Sequence, residues 1–243
     1  MIASLPMYDR AETADAHDRL WGLIRNALGR GPASLTRNTD VWDIWHDPAL
    51  CLSQTCGYPY RAKLHGAVTL IGTPDHGLAG CAPGYYQSVF VTRKDQPGHL
   101  HQYRDARFAF NEAMSQSGWA AAQTHAAQLG FQFSNTVQTG AHRESARAVA
   151  EGRADVAALD AVSWAMMQAY DDFASTLHVV DRTTPTPALP YICAPGADGR
   201  EMFNAIGAAI GDLSARDRAT LHLKGIVQVP ARAYLEIPNP PAP

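Results

Sequence analysis

Apolar positions along the chain fall into two alternating patterns. Short runs that are continuous or of period two predict strands near residues 2–7, 49–53, 67–71, 86–93, 107–111, 133–137, 156–159, 177–180 and 189–193. Between them lie segments with an apolar residue every three or four positions, the period of a helix with one buried face. Leu20, Trp21, Ile24 and Leu28 mark the first helix, which the Gly/Pro cluster at 29–32 ends. Further helices are expected up to Gly130, from His142 to Gly152, over 161–170, over 201–210 and over 214–221. Strands alternating with helices predict an α/β fold with mainly parallel sheets and flanking helices.

Composition shifts suggest where the chain changes lobes. Lys94-Asp95-Gln96-Pro97-Gly98 breaks the pattern once and Thr183-Thr184-Pro185-Thr186-Pro187 breaks it again. Two crossings imply a discontinuous first lobe, residues 1–93 plus 184–243, and a second lobe, 94–183, joined by a hinge. The second lobe contains two strand-loop-helix units, and both loops place hydroxyls at a helix start: Ser115 and Ser117 in one, Thr139 in the other. The unit at 133–164 organises the rest. After its first strand, Thr139-Gly140 turns the chain into a helix opening near His142, and the next strand ends at Asp160. Free N–H groups and the aligned dipole at a helix start favour an anion, and the carboxyl edge of an α/β sheet is where such folds bind ligands. Asp160 equally suits the N-cap of the helix that follows it.

The remaining features narrow the function. The chain has 243 residues, 46% hydrophobic and 18% charged, with a formal charge of −3 and no Lys/Arg stripe, so a small molecule is a better partner than nucleic acid. No apolar run reaches the roughly 20 residues of a membrane span, and residues 1–10 lack the pattern of a secretory signal. Cys51, Cys56, Cys81 and Cys193 match no zinc spacing, and His99 and His101 make an incomplete metal set. No metal, no other cofactor and no catalytic residue is expected. Cys56 and Cys81 both fall in Gly/Pro-containing loops after strands of one lobe, and a disulfide between them is the expectation for an oxidising compartment.

The ordered segments LSQTCGYPY (52–60), GTP running on to GCAPGYYQSVFVTR (72–93), RFAFNEAMSQSGWAA (107–121), TGAHRESARAVAEGRADVAALDAVSWAM (139–166) and TPTPALPY (184–191) resemble the phosphate/phosphite/phosphonate substrate-binding family of ABC transporters. That resemblance implies the two-lobed type II periplasmic-binding-protein fold, closing over a ligand between its lobes. It implies a small anionic ligand, a membrane permease as partner, a monomer and a periplasmic location, with the cytoplasm as the alternative because no signal is seen. Carried over by position, it implies ligand contacts from Tyr86, Ser115, Ser117, His142 and Asp160, with Tyr8 and Tyr58 or Tyr60 lining the other lobe. Thr139 adds a hydroxyl to the anion shell, and a protonated His142 would offset part of the ligand's charge. The competing expectation is a cytosolic enzyme on the same fold acting on a small carboxylate, with His142 and Asp160 as acid and base. A regulator's effector domain is a third, for which residues 1–30 offer no helix-turn-helix.

Overall fold

The computed structural model describes residues 1–96 and 98–243; Pro97, within the first expected crossing, lies outside the described residues. In chain order the strands are β1 (Ile2–Ser4), β2 (Leu50–Gln54), β3 (Thr69–Asp75), β4 (Tyr85–Tyr86), β5 (Ser88–Arg93) and β6 (Phe108–Phe110). They continue as β7 (Thr136–Gln138), β8 (Val156–Asp160), β9 (Leu177–Arg182), β10 (Thr186–Pro187), β11 (Tyr191–Cys193) and β12 (Gly225–Val227). Two units divide the chain: Met1–Tyr85 with Pro187–Glu236, and Tyr86–Thr186 with Ile237–Pro243.

The first unit is built on a sheet of order β1-β2-β11-β3-β12. β1 pairs parallel to β2, and β11 runs antiparallel to both β2 and β3, so β1, β2 and β3 share a direction and end at one edge. The helix Ala14–Leu28 buries Leu20, Trp21, Ile24 and Leu28, the stripe expected from the sequence, together with Ala16, and stops where Gly29 adopts φ +66°. Its partners in this core include Met202, Ile206, Ala209 and Ile210 of the helix Gly199–Asp212. β1 is shorter than the 2–7 run because Pro6 opens a 3-10 turn, Pro6–Tyr8.

The second unit has the order β7-β6-β8-β5-β9. β6 pairs parallel to both β7 and β8, while β5 lies antiparallel between β8 and β9. The sheets are therefore mixed, with parallel strands forming the part of each that matters below. β8 is buried at every position, which explains its unbroken apolar run. Phe108 stacks on Phe133 with ring centroids 4.2 Å apart, and Phe110 packs at 4.7 Å on Trp119. These rings fix the last residues of β6 against the helix that follows.

The strand at 88–93, expected in the first lobe, is a central strand of the second unit because its partners are β8 and β9. The chain accordingly changes units at Tyr85/Tyr86 and at Thr186/Pro187, where β4 and β10 pair as a two-stranded ladder. Residues 237–243 also belong to the second unit, and Trp119 Nε1 donates to the Pro241 carbonyl at 2.9 Å.

Candidate functional site

Because β7, β6 and β8 are adjacent and parallel, their carboxyl ends bring Thr139, Asn111 and Asp160 to one edge of the second sheet. Two helix starts meet there. The first begins at Ser115, whose Oγ accepts from Gly118 N–H at 3.0 Å. Its opening turn, Gln116–Ala120, is a wide π turn, with Ala120 N–H donating to the Ser115 carbonyl at 3.0 Å, before the α-helix Ala121–Gln128. Such turns recur at functional sites. The second start is the helix His142–Ala150. Gly140 turns the chain into it at φ +86°, a conformation that favours glycine.

The two starts are bonded to each other and to the sheet. Ser117 Oγ lies 2.8 Å from His142 Nε2, and the Ser117 carbonyl accepts from Ser88 Oγ at 2.9 Å. Gly140 N–H donates to the Asn111 carbonyl at 3.0 Å and Thr139 N–H to the Phe110 carbonyl at 2.9 Å. Ser115 and Ser117 are buried and His142 is half-buried. Burial pushes the His142 imidazole down to about 4, so the ring is neutral near pH 7. The expectation that a protonated His142 offsets ligand charge is corrected accordingly: removal of the ring from water penalises the cation.

Thr139 sits at this edge with its hydroxyl engaged internally. Oγ1 lies 2.6 Å from Ser145 Oγ and 3.1 Å from each of the Phe110 and Ala141 carbonyls. It braces the turn. Asp160, 2% exposed, caps the helix Ala161–Tyr170, Oδ1 accepting from Val162 N–H at 2.7 Å and Ser163 N–H at 3.0 Å. The capping alternative weighed from the sequence is thus realised, with the residue at the carboxyl end of β8. Tyr86 is buried at the start of the second unit.

Arg107 and Arg143 are held by carboxylates. Arg107, at the amino end of β6, grips Asp155 at 2.8 and 3.0 Å, and Arg143 Nε donates to Asp171 at 2.8 Å. The edge itself offers neutral donors.

Tyr8 and Tyr58 belong to the first unit, where they follow β1 and β2. The Tyr8 ring meets the His76 ring edge-on at 5.2 Å. Tyr58 is half-buried with the Arg61 guanidinium 4.5 Å from its ring centroid. Tyr60, the alternative to Tyr58, is a core residue packed at 5.2 Å against Tyr234. His76, just after β3, is buried, and burial pushes it down to about 4. Its Nδ1 lies 2.8 Å from the His222 carbonyl. Neither His76 nor Arg61 stood out in the sequence, since a lone histidine after a strand and an arginine after tyrosines carry no pattern. Cys56 and Cys81 are both half-buried. No helix among the described residues is long and apolar enough to cross a membrane.

Solved structures share this architecture. PhnD1 from Prochlorococcus marinus, solved in complex with methylphosphonate, superposes with a TM-score of 0.72 at 16% identity, covering 96% of this chain and 94% of that one. The binding-protein component of a phosphonate ABC transporter from Pseudomonas aeruginosa gives 0.69 at 16% identity, with 93% and 80% covered. A Xanthomonas citri protein bound to ATP gives 0.69 at 17% identity, with 97% and 94% covered. At these identities the likeness shows the fold, that of type II periplasmic binding proteins, and no curated protein matches the chain by sequence. The class defined by the fold is therefore a two-unit α/β protein of the periplasmic-binding-protein type. The family model of phosphonate periplasmic substrate-binding proteins of ABC transporters matches residues 52–231, and the chain belongs to that family.

Proposed function

We propose that the protein captures a small tetrahedral oxyanion, of phosphonate, phosphite or phosphate type, at the carboxyl edge of its second unit and presents it to an ABC permease. The observation that carries this reading is the 2.8 Å bond between Ser117 and His142, which joins two helix starts into one donor-rich edge. Backbone N–H groups and helix dipoles hold an anion there without a full counter-charge. The hydroxyls of Ser115 and Ser117 and the phenol of Tyr86 complete the shell. A periplasmic, monomeric protein with no cofactor fits this role and the family.

The enzyme alternative required His142 and Asp160 to act as a pair. Asp160 Oδ1 is occupied by two helix N–H groups, and no observation favours catalysis. Calorimetric titration with methylphosphonate, phosphite and phosphate tests the proposal. Binding of at least one at micromolar or better affinity is expected. Failure of all three, with an aromatic or aliphatic carboxylate bound instead, overturns it.

A further inference from the structure

Asn111 lies against both helix starts at the carboxyl edge of the second sheet. It follows the last residue of β6, the strand flanked by β7 and β8. Its carbonyl accepts from Gly140 N–H in the second loop. Its carboxamide lies against the first, where Gly118 makes the space: a Cβ there would stand 2.0 Å from Asn111 Oδ1 and 3.2 Å from Ser115 Oγ. Oδ1 is buried and has no hydrogen-bond partner among the described residues. Turning the amide end for end puts Nδ2 at the same buried spot, equally in need of a partner. Buried polar groups are normally satisfied, and an exception calls for a reason.

We propose that the Asn111 carboxamide is a ligand-reading group, hydrogen-bonded to an oxygen of the bound oxyanion midway between the two helix starts. A neutral amide carries two donors and an acceptor. It serves both the deprotonated oxygens and the single P–OH of a monoprotonated phosphonate, a combination that no carboxylate or ammonium at this position supplies. Gly118 is the second half of the device, since any side chain there displaces the amide from its place.

This inference rests on the proposed site, and the experiment separates the two. Methylphosphonate, phosphite and phosphate are titrated calorimetrically into the wild type, Asn111→Leu, Asn111→Asp, Gly118→Ala and the double variant Asn111→Leu/Gly118→Ala, with the ligand-free melting temperature of each recorded. Asn111→Leu is expected to melt at or above the wild-type temperature while binding at least tenfold more weakly, because it removes an unsatisfied group from the fold and a donor from the ligand. Asn111→Asp should lose the most, as a carboxylate repels the anion. Gly118→Ala displaces the far end of one flexible side chain and should weaken binding to a similar degree as Asn111→Leu. The double variant should then lose little more than either single one. Wild-type binding with Asn111→Leu and Gly118→Ala within twofold of it overturns the inference alone. Absence of wild-type binding to all three anions takes the site proposal down and the inference with it. Should Asn111→Leu not fold, Gly118→Ala decides.

Discussion

Ser117 Oγ and His142 Nε2 lie 2.8 Å apart, so the first turn of one helix is bonded to the first residue of the next. Each group therefore positions the other at the edge proposed to bind the ligand. Ser117→Ala and His142→Ala are each expected to weaken oxyanion binding by about 1–3 kcal/mol, the cost of leaving a buried acceptor short of a donor. Because the pair acts together, the double variant should lose less than the sum of the singles. Calorimetry on the four proteins checks this; unchanged affinity in both single variants would place the ligand elsewhere.

Acid should destabilise the fold through two histidines withdrawn from water, one in each unit: buried His76 and half-buried His142. Burial holds both His76 and His142 down at about 4, from an ordinary value of 6.5. The unfolded chain then takes up protons first as pH falls. Their contribution is fully present above pH 6.5 and is lost progressively between pH 6.5 and 4, on the order of 3 kcal/mol for each group. Asp155, held below its usual range by Arg107, loses its contribution only at lower pH. Urea midpoints at pH 7.5, 5.5 and 4.5 should fall stepwise, and a flat profile over that range would contradict the burial argument. Ligand affinity, by contrast, should carry no titration of His142 between pH 6 and 8.

How much of this was legible in the sequence depended on how local each feature is. The apolar run of β8 and the Gly140 turn into a helix at His142 are local, and both stand where the pattern put them. The place of β5 was not legible, because a strand's partners are set by residues far along the chain; here they are β8 and β9. β12 and the helix Ala231–Leu235 were missed for want of length: three and five residues give no measurable period. Asn111 was hidden for another reason. It reads as the polar end of a strand, and only the approach of Gly118, seven residues on, shows its amide to be held in place.

The proposed bridge between Cys56 and Cys81 is a question of compartment. If the protein matures under oxidising conditions, closing that loop of about 25 residues should stabilise the first unit by roughly 3 kcal/mol in the chain-entropy model. Thiol titration after equilibration with a glutathione redox couple checks it. Loss of two of the four thiols together with a higher melting temperature is the expected result, and four titratable thiols under oxidising conditions would rule the bridge out.

Asp160 carries two roles that substitution can separate. Its Oδ1 accepts from Val162 and Ser163 N–H at the start of the helix Ala161–Tyr170, and the residue ends β8 at the proposed binding edge, beside β6. Asparagine caps a helix about as well as aspartate, whereas alanine does not. Asp160→Ala should therefore cost about 1 kcal/mol of stability, and Asp160→Asn only a fraction of that. Ligand preference should respond differently. A carboxylate only accepts, so it favours a ligand that brings a proton, either a P–OH or an ammonium group, and disfavours a dianion. Asparagine supplies donors in its place and should shift preference from the monoanion of methylphosphonate toward dianionic phosphate. Paired titrations of both ligands at one pH, with chemical melts of the same samples, read the two roles independently. A destabilised Asp160→Ala with unaltered ligand preference in Asp160→Asn would leave the residue as a helix cap alone.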